Sequence, residues 1–149
     1  QKTNQFNSTT LRLSEKNIEQ LINKKNYLIT ECKARDKFGD YGTIGFSITK
    51  IDKKEKKACI ENILFSCRAL GRLIEEYYLE TLLNTLKKSK IQTLDILFNV
   101  SKKNKPSYNF FNNHKFKKIK KTKERFIFQA KVDTFTLLNK YKKIIKCKI

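Results

Sequence analysis

The hydrophobic repeat of this chain changes period once, sharply, between Phe65 and Gly71. Before that point apolar residues alternate, as strands with one buried face require. Thr43–Ile51 carries Ile44, Phe46, Ile48 and, after one skipped position, Ile51, and Ala58–Ser66 (ACIENILFS) ends in a dense apolar stretch. Beyond it, Leu79, Leu82, Leu83 and Leu86 recur at i, i+3, i+4 and i+7, which predicts a helix from Gly71 to Lys88. Glu75 and Glu76 stand near its positive end, and Lys87 and Lys88 near its negative end. The strand therefore feeds the strongest helix through Ser66-Cys-Arg-Ala-Leu-Gly-Arg72, a turn whose backbone N–H groups have no helical carbonyl to meet.

The remaining segments fill in around this junction. Phe6–Leu13 reads as a short strand, and Ser14 caps a helix through about Lys24 with Ile18, Leu21 and Ile22 on one face. Tyr27–Ala34 reads as a strand, Arg35–Gly42 as a turn, and Lys53–Lys57 as a charged hairpin loop. Thr93–Phe98 is a buried strand, and Pro106 suits the first turn of a helix running to about Asn113. Phe126–Val132 is a last strand, and residues 115–149 form a Lys-rich end of the chain. The order β-α-β-β-β-α-β-α-β predicts an α+β (mixed α/β) fold with antiparallel hairpins early, and 149 residues fit one domain. Hydrophobic residues at 39%, with 11 Phe among them, supply a core and argue against disorder. No apolar run approaches the ~18–20 residues that span a bilayer, so a membrane-spanning role is excluded.

The net charge of +20 invites a nucleic-acid reading, which two features weaken. Only five of the 34 cations are Arg, and Lys, Asn and Ile share A/T-rich codons, so genome composition accounts for much of the excess. The excess is also uneven, with thirteen cations against Glu124 and Asp133 in residues 115–149. Attraction of some anionic partner is the broader expectation. Cys32, Cys59, Cys67 and Cys147 form no CxxC pair and His114 is the one imidazole, so no zinc site is expected. With no secretory leader, reduced thiols in a cytoplasm are expected.

Several residues are candidates for chemistry, each with a plainer alternative. Gly71 lets a phosphate approach the backbone, with Arg68 and Arg72 to neutralise it; the alternative is an ordinary turn with surface arginines. Cys67 at the helix entrance is a candidate acyl carrier, or a small residue filling a strand end. His114 is a candidate base, or a surface histidine. Asp36 and Asp40 could polarise a substrate hydroxyl, or hold their turn by side-chain to backbone bonds. Tyr77, Tyr78, Tyr108, Phe110 and Phe111 are core aromatics first, with Phe111 a second candidate for lining a thiol channel.

The strings Lys2-Thr-Asn-Gln-Phe-Asn7, Asp36-Lys-Phe-Gly-Asp-Tyr-Gly42, Ser66-Cys-Arg68 with Gly71-Arg72 and Glu75, and Lys103-Asn104 with Pro106 occur in this order over residues 2–116. Together they resemble the C-terminal domain of FkbH-like proteins. That family pairs a haloacid-dehalogenase-type phosphatase domain with a domain similar to the GCN5-related N-acetyltransferase (GNAT) fold. The resemblance implies an acyl-CoA N-acyltransferase-like fold here and a phosphatase domain upstream of Gln1. In that fold the central strands splay apart and admit pantetheine, and the next helix receives the pyrophosphate.

The fold's phosphate signature is matched by Arg68-Ala-Leu-Gly71-Arg72-Leu73, with Leu73 replacing a small residue. The resemblance thus makes Ser66, Cys67, Arg68, Leu70, Gly71 and Arg72 contacts for coenzyme A or phosphopantetheine, joined by Asn104 and Phe111. Phe111 falls where acetyltransferases commonly carry a Tyr that protonates the leaving thiolate, and it has no proton to give. The implied role is to help load a glyceryl-type unit on an acyl-carrier protein. Carriers are usually acidic, so a basic surface would steer them. A catalytically inactive docking module for the phosphatase half is the alternative, with a basic nucleic-acid binder less favoured.

Overall fold

Residues 5–114, 116–122 and 124–134 are described by a computed structural model. The elements are β1 (Phe6–Asn7), α1 (Glu15–Ile22), β2 (Tyr27–Asp36), β3 (Gly39–Asp52), β4 (Lys57–Phe65), α2 (Ile74–Lys88), β5 (Thr93–Asn99), α3 (Lys105–Asn113), β6 (Lys117–Lys121) and β7 (Arg125–Lys131). They build one sheet of order β2-β3-β4-β5-β7-β6, with β1 added on β4. Every pairing is antiparallel except β4 with β5. This is the expected mixed α+β architecture with a mostly antiparallel central sheet.

The leucine stripe of α2 does what its spacing predicts. Leu79, Leu82, Leu83 and Leu86 are fully buried and join one core with Ile60, Phe65, Leu94, Ile96, Phe98 and Phe128 of the sheet. Tyr78 on the same helix sends its hydroxyl to Ser47 at 2.8 Å and to the Thr30 side chain, so a polar group crosses the core with its partners. Ser14 caps α1 as expected: its Oγ accepts from the Asn17 amide at 3.2 Å, and Asn17 Oδ1 accepts from the Ser14 amide at 3.2 Å.

Three local expectations are corrected. The α2 helix begins at Ile74, three residues beyond Gly71, because Gly71 (φ 74°) and Leu73 (φ 63°) are both left-handed and cannot belong to a right-handed helix. The Arg35–Gly42 turn is mostly strand: β2 and β3 pair out to Asp36 opposite Gly39, leaving Lys37 and Phe38 as the tip. The lysine run after Phe116 is an edge strand, β6, in which charge protects an unpaired backbone edge. Residues 135–149, including Cys147 and the rest of the Lys-rich end, lie outside the described residues. Among the described residues no helix is long and apolar enough to cross a membrane.

Candidate functional site at the strand fork

The one parallel pairing among the described residues is short. β4 and β5 run together only over Lys57–Ile60 against Thr93–Ile96 and then part. β5 stays with β7 through Asn99, while the edge that β4 exposes is taken by β1, Phe6 opposite Phe65 and Asn7 opposite Leu64. The chain continues through the fork. The Ser8 amide donates to the Ile63 carbonyl at 3.0 Å, and Ser8 Oγ accepts from the Ile63 amide at 3.2 Å. From the other strand, Asn99 donates its backbone N–H to Ser8 O and its side-chain amide to Thr9 O, each at 2.8 Å. Asn104 Nδ2 donates to Asn7 O at 3.1 Å and to Asn99 O at 2.8 Å. Phe6, Asn7, Ser8 and Thr9 are all buried, and Phe6 meets the rings of Phe65, Phe110 and Phe111 at 5.3, 5.3 and 6.0 Å. The N-terminal segment is thus the partition that fills the split between the strands.

A register shift opens β4 toward this fork. Ile48 pairs with Asn62 and Thr49 with Ile60, so Glu61 is an extra, bulged residue. Ile60, Ile63 and Phe65 consequently all reach the main core, while Glu61 lines a cavity of about 440 Å³ with Thr9, Leu97, Asn99, Thr122 and Arg125. The Tyr27 hydroxyl donates to Glu61 Oε1 at 3.2 Å, and its pKa is raised by burial and then by that carboxylate. Glu61, Thr9, Asn99, Thr122 and Arg125 belong to none of the sequence motifs. A signal was present for the first: Glu61-Asn62 are two polar residues in the middle of an otherwise apolar strand.

The turn into α2 gathers six of the sequence candidates. Ser66 donates its amide to Ile44 O at 2.6 Å, and Ala69 donates to Ser66 O at 2.9 Å. Cys67 and Arg68 are exposed and Leu70 is half-buried. Gly71 has no atom within 4 Å of where a Cβ would stand, so the space above it is open. Its amide donates to Glu75 Oε1 at 3.0 Å. Glu75 is buried, its Oε2 has no partner, and burial raises its pKa against the opposing pull of backbone amides. Arg72 turns away from Gly71: Nη2 donates to Asp36 Oδ2 at 2.8 Å, and the guanidinium lies 5.2 Å from the Tyr41 ring centre. Asp36 is held below its ordinary pKa, first by the Phe38 amide and also by Arg72 and Tyr41.

The other candidates stand elsewhere. Asn104 is buried at the fork. Phe111 is 0% exposed inside a cluster of Phe6, Phe98, Phe116 and Phe128. Asp40 accepts the Gly42 amide at 2.7 Å and so holds its turn. His114 ends α3, with Nδ1 at 2.7 Å from Phe110 O and Nε2 at 3.5 Å from Glu76 Oε1 in the first turn of α2.

This topology, with a forked parallel pair and a helix entering from one arm of it, is the GNAT or acyl-CoA N-acyltransferase fold. The ribosomal-protein-S18-alanine N-acetyltransferase from Escherichia coli superposes with a TM-score of 0.65 at 16% identity, over 84% of this chain and 81% of that one. The PaiA N-acetyltransferase from Thermoplasma acidophilum, solved in complex with coenzyme A, gives 0.57 at 19% identity over 80% of each chain. Tetrahymena GCN5 gives 0.57 at 10% identity, over 83% of this chain and 79% of that one. No protein-family model matches the sequence, and no curated protein matches it.

Open space over Gly71 beside the exposed Arg68 leaves room for a single phosphate, met by the Arg68 charge and not by the Gly71 amide, which Glu75 engages. A pyrophosphate is suited less, because the Gly71 amide is already held by Glu75 and Leu73 carries a side chain at the turn. The fork itself holds Phe6–Thr9 where a pantetheine arm would otherwise lie between strands.

Proposed function

We propose that this chain is an acyl-handling domain that receives a unit borne on phosphopantetheine, from an acyl-carrier protein in preference to free coenzyme A. What carries the reading is that one strand, β4, bears both features: it leads into the turn open above Gly71, and its bulged Glu61 faces a cavity. Phosphopantetheine supplies the thioester. Arg68 neutralises its single phosphate over Gly71, whereas coenzyme A brings a second phosphate to a turn whose Gly71 amide Glu75 already engages. The cavity suits a small hydroxylated acyl unit such as a glyceryl group: Leu97 forms an apolar wall, and Glu61, Thr9 and Thr122 offer hydrogen-bond partners. Glu61, oriented by the Tyr27 hydroxyl, takes the proton of an attacking hydroxyl or amine. Phe111 holds no proton for the leaving group, so that proton comes from solvent or from the carrier side.

The resemblance to FkbH-like proteins supports an upstream phosphatase domain, and the +20 charge supports electrostatic steering of an acidic carrier. The test is intact-protein mass spectrometry of a glyceryl-loaded carrier incubated with the chain, alone and joined to the phosphatase domain. A chain-dependent change in the acyl mass is expected, slowed on the order of a hundredfold by Glu61→Gln. The filled fork and the buried Phe111 favour a second reading, a docking module without chemistry of its own. Carrier binding with no change of acyl mass under any condition would establish that reading, and absence of carrier binding would remove both.

A further inference from the structure

β2 and β3 run past the rest of the sheet. β4 ends at Phe65 opposite Gly45, and the pairings from Lys33–Thr43 to Asp36–Gly39 continue as a two-stranded ribbon with no third strand beside it among the described residues. A free ribbon of this kind is marginal in water, yet its tip is tied down. Asp36 Oδ1 accepts the Phe38 amide at 2.8 Å, and Asp36 Oδ2 accepts from Tyr41 Oη at 2.9 Å and from Arg72 Nη2 at 2.8 Å. Gly39 at φ 145° makes the turn that only glycine makes readily.

What this scaffold holds out is Phe38, at 81% the most exposed large hydrophobic side chain among the described residues. Burying such a ring is favourable, and among the described residues none covers it. Lys37 Nζ lies 4.8 Å from its ring centre, and Arg35 and Arg68 are exposed near the same end of the sheet. The arrangement is an aromatic anchor with a cationic rim, the pattern of an interface hot spot facing an acidic partner. Arg72 fixes where that partner would sit, because the same side chain that anchors the ribbon belongs to the turn that carries Arg68 and Gly71.

We infer that the ribbon from Lys33 to Thr43 is the docking contact for the acidic carrier protein, with Phe38 as its apolar anchor. This rests on the carrier reading above and adds the surface by which the carrier is seated beside the turn. The experiment is a fluorescence-anisotropy titration of labelled holo-acyl-carrier protein with the 149-residue chain at low ionic strength, repeated with Phe38→Ser and Ile119→Ser. Wild type and Ile119→Ser, a change at another exposed apolar residue on β6, are expected to bind alike, and Phe38→Ser at least tenfold more weakly with an unchanged melting temperature. Equal affinity of Phe38→Ser and wild type overturns the docking surface and leaves the carrier reading standing. No binding by wild type overturns the carrier reading and this inference with it. If sedimentation shows wild type self-associating and Phe38→Ser monomeric, with carrier binding unaffected, the ribbon joins copies of the chain and the inference is overturned.

Discussion

Glu75 takes the amide of Gly71 at 3.0 Å with one carboxylate oxygen, and its other oxygen is buried without a partner. The turn into α2 thus carries an anion of its own where a helix N-terminus attracts one. Burial raises this carboxyl's pKa, so the folded chain holds the proton more tightly than the unfolded chain does. At low pH both states are protonated and no penalty exists. As pH rises past the ordinary carboxylate value the unfolded state ionises first, and folding stability falls until the folded pKa is passed. Glu75→Gln keeps a carbonyl for Gly71 and removes the ionisation. Its stability relative to wild type is expected to be least favourable near about pH 4 and to improve toward neutrality. Urea midpoints across that range check it, and a difference that stays flat with pH would contradict the assigned cost.

Asn104 joins three parts of the fork, since one side-chain amide serves the carbonyls of Asn7 and Asn99. Asn104→Ala leaves buried acceptors unpaired and is expected to cost about 1–3 kcal/mol. The loss should also be local in its dynamics. Hydrogen exchange of the Ser8 and Asn99 amides, which bridge the partition, should accelerate more than that of Leu82 or Leu83 in α2. Uniform acceleration would mean that the segment is no distinct unit.

What could be read in advance, and what could not, divides along sequence separation. The α2 face was legible because Leu79, Leu82, Leu83 and Leu86 state their period within two turns. The Ser14 cap and the Thr43–Ile51 strand are equally local signals. The pairing of Phe6 with Phe65 is not local: two residues of strand carry no period, and their placement on β4 depends on β5 having parted from it. The edge strand Lys117–Lys121 was hidden by the lysines that protect it. At the site, the glycine-arginine string marked the turn correctly as a turn. That Arg72 serves Asp36 is tertiary information that no string of neighbouring residues contains, whereas the bond from Gly71 to Glu75, four residues on, is local.

Phe111 tests whether the missing hydroxyl is a simple loss. The ring is 0% exposed and packed edge-on or tilted against Phe6, Phe98, Phe116 and Phe128. Phe111→Tyr would place an O–H among those rings with no partner in view. The variant is expected to lose about 1–3 kcal/mol in urea unfolding and to gain no acyl-transfer rate. A rate increase without loss of stability would show that the hydroxyl reaches the reacting group after all.

Gly45 and Gly71 separate two reasons for having no side chain. A Cβ on Gly45 would overlap the Phe65 ring, and that ring cannot give way easily, because Phe6 and Tyr78 pack edge-on against it at 5.3 and 5.2 Å. Gly71 meets no atom but sits at φ 74°. Gly45→Ala is therefore an overpacking change, expected to cost ~1–3 kcal/mol, and to disturb the β3–β4 end of the fork with it. Gly71→Ala carries only the left-handed backbone penalty of roughly 1–2 kcal/mol. Combining each with Phe65→Leu distinguishes them. The smaller side chain should relieve part of the Gly45→Ala cost, a coupling visible in a double-mutant cycle, while the Gly71→Ala cost should simply add to it. Additivity at Gly45 would show that the ring is not what keeps that position bare.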